Sequence, residues 1–389
     1  MAEDIPTTLG AVDAAWLTQA LRDAGELADA TTVTSSSQTL LGVGEGFMGE
    51  LARVELTHDG DDAIESVIIK IPTTVEENRG AGQLLGIYER EVKAYRDLLP
   101  ELDVPTPTLH TARLSPDATG VADAERLAKA DRLPIWLLRI MMKREMKTGD
   151  VPPAFLMLED IRDAECGDQV VGCSPEQAAA VMRVTARFHA STWGGRVPAN
   201  CDWLTRGDIA PRIFHAVYLM HRKEFNTLVQ DWMTPHSKHV LREIKRSGLT
   251  RIRDVHQQIP VCVLHGDYRL DNMFFRDDGQ VRAVIDWQIP TFGPAVLDLT
   301  YFLTGSLDAA TPESVIDDLL GVYHDELAAS GVADYSFADL RRDYVEGLLV
   351  VLHRAVATFG ALDLGEERGM ELVKVWIDRF DARLARVPA

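Results

Sequence analysis

The period of the apolar positions changes several times along the first 160 residues, and each change predicts a different element. In "VDAAWLTQALRDAG" Trp16 faces Ala20 and Leu17 faces Leu21 at helical spacing, and the run stops at Gly25. The pattern then becomes alternating. In "GELARVEL" Ala52, Val54 and Leu56 oppose Glu50, Arg53 and Glu55, which predicts a strand with Leu51 as its irregular position. "HDGDD" is a turn by composition, and "SVIIKIP" is a second strand ending at Pro72. Together they predict an antiparallel meander with the glycine-bearing "LGVGEGFMG" as a loop at its mouth. A helix follows, carrying Leu84, Tyr88, Tyr95 and Leu99 on one stripe. "TLHTARL" and "IWLLRI" read as further strands, with "DAERLAKADR" between them as a short helix or insertion. "AFLMLEDI" is an apolar strand ending in two carboxylates.

Past residue 160 helical spacing takes over. "SPEQAAAVMRVTARFHASTWGG" opens with Ser174 as N-cap, Pro175 at the first helical position and Gln177 closing a capping box, and it ends at Gly194 and Gly195. "TPESVIDDLLGVYHDELAASG" predicts the same device, with Thr311 as cap, Pro312 next and Gly331 after the end. "SFADLRRDYVEGLLVVLHRAVATFG" and the last twenty or so residues read as two more long helices. Two strands interrupt this half, one around Val261 and one at "VRAVIDWQ", the latter joined to "MFF" by the turn "RDDGQ". No internal repeat or low-complexity segment occurs.

Composition narrows the class. Hydrophobic residues make up 46% and charged residues 26% of 389 positions, a soluble globular balance in a chain long enough for two lobes. The net charge of -20 disfavours a nucleic-acid partner, because phosphate-backbone affinity rests on excess Lys and Arg. It suits solubility first and attraction of cationic substrates second. The four cysteines show no CxxC pair and read as reduced thiols. With no apolar run near membrane-spanning length and an acidic N-terminus unlike a signal peptide, the expected setting is the cytoplasm, without a membrane partner.

The chemistry lies in "VCVLHGDYRLDNMFF" and "VIDWQ". The apolar run Val261–Leu264 stops at His265, Gly266 and Asp267, and apolar residues resume at Met273. A hairpin through "RDDGQ" returns Asp286 to a place beside Asn272. One carboxylate and one amide oxygen suit Mg²⁺, which takes few protein ligands and shares the rest with water and phosphate. Asp267, five residues before Asn272, is then free to orient or deprotonate a nucleophile. These are parts for phosphoryl transfer, where catalysis is mostly positioning and charge neutralisation.

At this point the chain resembles the aminoglycoside phosphotransferase and choline kinase superfamily, relatives of protein kinases that phosphorylate small molecules. "HGDYRLDN" followed by "VIDWQ" is similar to its catalytic loop and metal motif, over roughly residues 40 to 305. "DWQ", "LMLEDI" and "RFHASTWGG" are more similar to the ecdysteroid-kinase-like branch. The resemblance implies an α+β, two-lobed protein-kinase-like fold. An antiparallel-sheet N-lobe would span 1–160, a hinge about 157–163, and a larger, mostly helical C-lobe 161–389. It also implies ATP and Mg²⁺ as cofactors. Asp267 would be the catalytic base on a substrate hydroxyl, and Asn272 and Asp286 the metal ligands. His265 would be a structural member of the loop, and Asp298 would steady the loop by hydrogen bonding.

A kinase also needs a strand lysine for the phosphates and a helix carboxylate to hold it. Lys70 sits inside a strand, where a free charge is costly unless paired. Glu91 lies on the apolar stripe of the next helix, three residues after Tyr88 and four before Tyr95. The two predict each other, and Glu91 is favoured over Glu89. Gly44 and Gly46 lie in the loop that would cover the phosphates, although its spacing departs from GxGxxG. By resemblance, backbone groups from Glu159 to Ile161 would meet the adenine edge.

The expected function is ATP- and Mg²⁺-dependent transfer of phosphate to a hydroxyl of a small molecule: an aminoglycoside, macrolide, steroid or choline-like alcohol. Trp232, Tyr301, Phe302 and Trp376 are candidate pocket aromatics, with core packing the competing explanation. The rivals are a non-catalytic nucleotide binder and a protein kinase. About a dozen residues separate Asp286 from Asp298, too few for a regulated activation segment. The oligomeric state stays open.

Overall fold

The computed structural model describes residues 5–41, 49–60, 64–74, 82, 86–116, 118, 128–145, 151–360 and 367–387. The first part contains α1 (Ala14–Asp23), β1 (Val33–Leu41), β2 (Gly49–His58), β3 (Ser66–Pro72), α2 (Ile87–Lys93), β4 (Leu109–Leu114), α3 (Ile135–Glu145) and β5 (Ala154–Glu159). The second runs β6 (Glu165–Cys166), α4 (Pro175–Ser191), α5 (Pro211–Val229), α6 (Pro235–Gln258), β7 (Val261–Leu264), β8 (Met273–Phe275), β9 (Val281–Val284) and β10 (Thr291–Pro294). It closes with α7 (Val296–Ser306), α8 (Glu313–Ala329), α9 (Phe337–Phe359) and α10 (Glu367–Leu384).

Strand alternation gives the smaller lobe two working faces. The five strands form an antiparallel sheet in the order β1-β2-β3-β5-β4. Val67, Ile69 and Ile71 of β3 are buried on one face, where they join Leu17 and Leu21 of α1, Val54 and Phe155 in one cluster. The period of two then sends Lys70 to the opposite face. That face is not a separate core. Leu156 and Leu158 of β5 and Tyr88, Val92 and Tyr95 of the α2 region belong to the same apolar cluster as Val181, Phe188, Trp287 and Leu348 of the helical lobe. Helix α2 is docked further by Arg90, which donates to the Pro290 carbonyl at 3.1 Å and to Thr205 at 2.8 Å.

The two-lobed α+β architecture is the one expected, with three local differences. β1 was not foreseen, because "VTSSSQTLL" buries only Val33 and an edge strand with two wet faces has no apolar alternation. "IWLLRI" is not a strand: it begins α3, which continues through residue 145. Asp131, just before it, accepts from the amides of Arg212 and Ile213 and so ties this segment to the start of α5. Thr311 does not cap α8; Pro312 takes the N-cap position and no side chain caps the helix. The capping box on α4 forms as read, Ser174 accepting from the Gln177 amide and Gln177 accepting from the Ser174 amide.

Candidate active site

The loop after β7 is held from beneath. Asp298, 1% exposed at the start of α7, accepts the amides of His265 at 2.7 Å and Gly266 at 3.1 Å. His189 lies 3.6 Å from the same carboxylate, and burial holds this imidazole below its usual range. The His265 ring links both arms of the site. Its Nδ1 accepts from the Asp267 amide at 3.2 Å, so Nε2 carries the proton and donates to the Ile285 carbonyl at 2.8 Å. Gly266 has φ of 87°, and a Cβ there would stand 2.6 Å from the Ile289 carbonyl oxygen, so only glycine fits. Asp267 is thereby fixed, half-buried, at the mouth of the loop.

The hairpin β8–β9 does what its turn implied. Met273 pairs with Val284, and the Ile285 amide donates to the Asn272 carbonyl at 2.9 Å, which sets Asp286 beside Asn272. Asp286 has φ of 64°, a left-handed conformation costing a non-glycine residue about 1–3 kcal/mol. The Asn272 amide nitrogen donates to the Asp267 carbonyl at 2.8 Å, which leaves its side-chain oxygen as the free end. That oxygen and the Asp286 carboxylate are a hard donor pair of the kind Mg²⁺ uses. Among the described residues no cluster of three or more His, Cys, Asp or Glu could hold a metal. Two protein donors of this kind would leave an ion's remaining positions to water and phosphate oxygens.

Lys70 closes the site from above. Its ammonium lies 2.7 Å from Glu91 and 2.6 Å from Asp286, a bridge between the sheet, helix α2 and the helical lobe. Burial works against the Lys70 charge, but Asp286 and Glu91 outweigh it and raise its pKa. Burial raises the Glu91 carboxyl, with Asp286 adding to the rise and Lys70 opposing it. Asp286 ends below the usual carboxylate range, because Lys70, His265 and Arg269 overcome its burial. Glu89, by contrast, pairs with Lys93 at 2.6 Å.

The remaining expected residues fall in different places. Gly44 and Gly46 lie outside the described residues. The Glu159 amide donates to the Thr108 carbonyl at 2.9 Å and its side chain pairs with Arg282, while Ile161 is buried. Between them Asp160 binds Arg53 at 2.9 Å, Ser66 at 2.7 Å and Arg162 at 2.8 Å. Phe302 and Trp376 are core residues at 0% and 3% exposure, not pocket walls. Trp232 is half-buried against the main core. Tyr301 does reach the site: burial, and then the nearby Asp267 charge, push its hydroxyl pKa up. The acids of "DDLLGVYHDELAA" do not gather at the loop: Asp317 pairs with Arg341 and Arg386, and Glu326 with Arg187.

Several participants escaped the sequence reading. Arg269 lies inside the motif itself, 3.2 Å from Asp267 and 3.1 Å from Asp271. Gln288, the last residue of "DWQ", lies near Glu91 and opposes the rise of its carboxyl. Arg354 of α9 donates to the Gly266 carbonyl at 3.0 Å. Gln169 accepts from the Leu270 amide through its side chain and donates its own amide to Asp271, both at 2.8 Å. Arg379 of α10 binds the carbonyls of Gln169 and Gly305 at 2.6 Å and of Val170 at 2.9 Å. Arg269 and Gln288 lie inside the quoted motifs, where charge and spacing could have flagged them; the other three come from distant segments with no local pattern.

The profile of the ecdysteroid kinase-like family matches residues 43–332. Among curated proteins, acyl-CoA dehydrogenase family member 11 of Mus musculus is 44% identical over 41 residues, which is 10% of this chain and 5% of that protein's length. The fold is similar to macrolide 2'-phosphotransferase type I, at 15% identity and TM-score 0.44, covering 99% of each chain. It is also similar to choline kinase from Cryptosporidium parvum Iowa II, at 10% identity and TM-score 0.48, covering 89% of this chain and 86% of that one. A microcompartment-associated aminopropanol kinase is similar at 14% identity and TM-score 0.46, covering 95% and 97%.

Proposed function

Because the chain belongs to the ecdysteroid kinase-like family, we propose that it is an ATP- and Mg²⁺-dependent phosphotransferase acting on a hydroxyl of a small molecule. The observation that carries this reading is the Lys70 ammonium, held between Glu91 and Asp286 beside Asn272 and Asp267. A purely structural ion pair would need one carboxylate; the second is the one set next to the amide oxygen.

In this reading Asp267 takes the proton of the acceptor hydroxyl as its oxygen bonds to the γ-phosphorus and the bond to ADP breaks. Arg269 orients the Asp267 carboxylate. Lys70, steadied by Glu91, holds phosphate oxygens, while Asn272 and Asp286 would hold Mg²⁺, which supplies charge neutralisation on the phosphates. The segment Glu159–Ile161 receives the adenine edge, and the loop with Gly44 and Gly46 covers the phosphates. The hinge then lies at 157–163, between lobes 1–160 and 161–389.

Thermal unfolding with ATP, with and without Mg²⁺, tests the nucleotide site. Ligand at 100 times its dissociation constant stabilises the native state by about 2.7 kcal/mol. The expected result is an upward, Mg²⁺-dependent shift that Asp286→Asn weakens; no shift would sink the reading. Asp267→Asn should keep the ATP shift and lose nearly all ADP release. A non-catalytic nucleotide binder would instead show the shift and no acceptor-dependent ADP release in either form.

A further inference from the structure

The charges around Asp267 bear on what kind of alcohol the site accepts, an inference that rests on the phosphotransferase reading. Each described carboxylate at the loop is already matched. Asp267 and Asp271 share Arg269, Glu91 and Asp286 share Lys70, and Asp298 is spent on two backbone amides. Each of these carboxylates has a partner, although four of them share two cations.

The cations are not all matched in return. Arg354 donates one N–H to the Gly266 carbonyl at 3.0 Å and forms no ion pair among the described residues. Its guanidinium is half-buried, next to the residue that precedes Asp267 in the chain. Arg269, by contrast, is engaged by Asp267 and Asp271. The Tyr301 hydroxyl lies in the fields of Asp267, Arg269 and Arg354. Arg354 stands on α9, beyond residue 332, where the family profile ends. The element that brings this charge to the loop is therefore not part of the stretch that defines the family.

We propose that the phosphate acceptor is an alcohol that also carries an anionic group, a carboxylate or a phosphate ester, received by Arg354 beside the hydroxyl facing Asp267. A guanidinium with a planar fork of donors matches either anion. The hydroxyl oxygen bonds to the γ-phosphorus, ADP leaves with the electrons of the broken bond, and the proton passes to Asp267. A cationic group at that place would meet a guanidinium that has no ion pair among the described residues.

The test uses the full chain with ATP and Mg²⁺, reading ADP release with matched sets of acceptors. Glycerol, glucose and a hydroxysteroid are each offered as the neutral alcohol, the corresponding acid and the corresponding amine, with glycerol phosphate added to separate phosphate from carboxylate. The expected result is at least a tenfold preference in kcat/KM for an anionic member of one set. Arg354→Met should abolish that preference by raising KM for the anionic member far more than for its neutral counterpart, with the Mg²⁺-dependent ATP shift retained, and Arg354→Lys should restore part of it. Preference for a neutral or cationic member overturns the inference, as does failure of every anionic member in a chain that binds ATP with Mg²⁺. Absence of that ATP binding counts against the phosphotransferase reading instead. Should Arg354→Met fail to fold, the wild-type ranking and Arg354→Lys still decide.

Discussion

Asp298 does its work without facing the cleft. Replacing it by Ala would leave the amides of His265 and Gly266 buried without an acceptor, each costing about 1–3 kcal/mol. Asp298→Ala should therefore lose several kcal/mol in urea unfolding, and turnover should fall further than stability alone explains because Asp267 is no longer fixed. The grouping of Asp267, Asn272 and Asp286 was legible because it depends on neighbours within a few residues and one hairpin. Lys70 and Glu91 were legible as a pair because a buried charge implies a counter-charge, and the two lie 2.7 Å apart. Arg354 and Gln169 were not: each acts on the loop from a segment far away in sequence, and nothing in "HRAV" or "GDQV" marks it.

Among elements, the pattern succeeded where one face is wet and the other buried. Strand β3 and helix α4 are such cases, and α4 carried its cap as well. It failed for β1, which has hardly any buried face, and for α3, where six apolar-rich residues were too few to separate period 2 from period 3.6. It also could not foresee that α10 reaches the catalytic loop. Arg379 gathers three carbonyls of the 169–170 and 305 backbone, and Gln169 passes that order to Leu270 and Asp271. Arg379→Leu should speed hydrogen exchange in the 267–275 peptide by tenfold or more, while exchange in β2 and β3 stays unchanged. Equal acceleration everywhere would mean that α10 supports the whole lobe and not this loop in particular.

For the whole molecule, net charge says little about how the charges of the site are paired. The surplus of acids is an average over 389 residues, whereas the groups around Asp267 are paired or cationic. A total could not reveal that arrangement. The buried histidines bear on stability in acid. His215 and His353 share a hydrogen bond of 3.1 Å in the core between α5 and α9. Burial lowers both, His353 to about 3, with His215 and Arg354 pushing it the same way. The unfolded chain takes up these protons near pH 6.5 and the folded chain does not, so this contribution is complete above that pH and is lost as pH falls towards 3. Each such proton gives a slope of up to about 1.4 kcal/mol per pH unit. His353→Gln should flatten the fall in unfolding free energy between pH 6.5 and 4.5 by about one proton's worth; an unchanged slope would show that other groups carry it.

The Arg379 brace also sets an order in time. Asp271 leaves the ribosome more than a hundred residues before Arg379 does, and at about 5–20 residues per second the interval lasts several seconds. During that interval β7, the hairpin and Asp298 can already meet, yet the Gln169 segment has nothing from α10 to hold it. A nascent chain can thus assemble the lysine bridge before the 267–275 loop is fully ordered, and under the proposed function nucleotide capture would precede competence for transfer during synthesis.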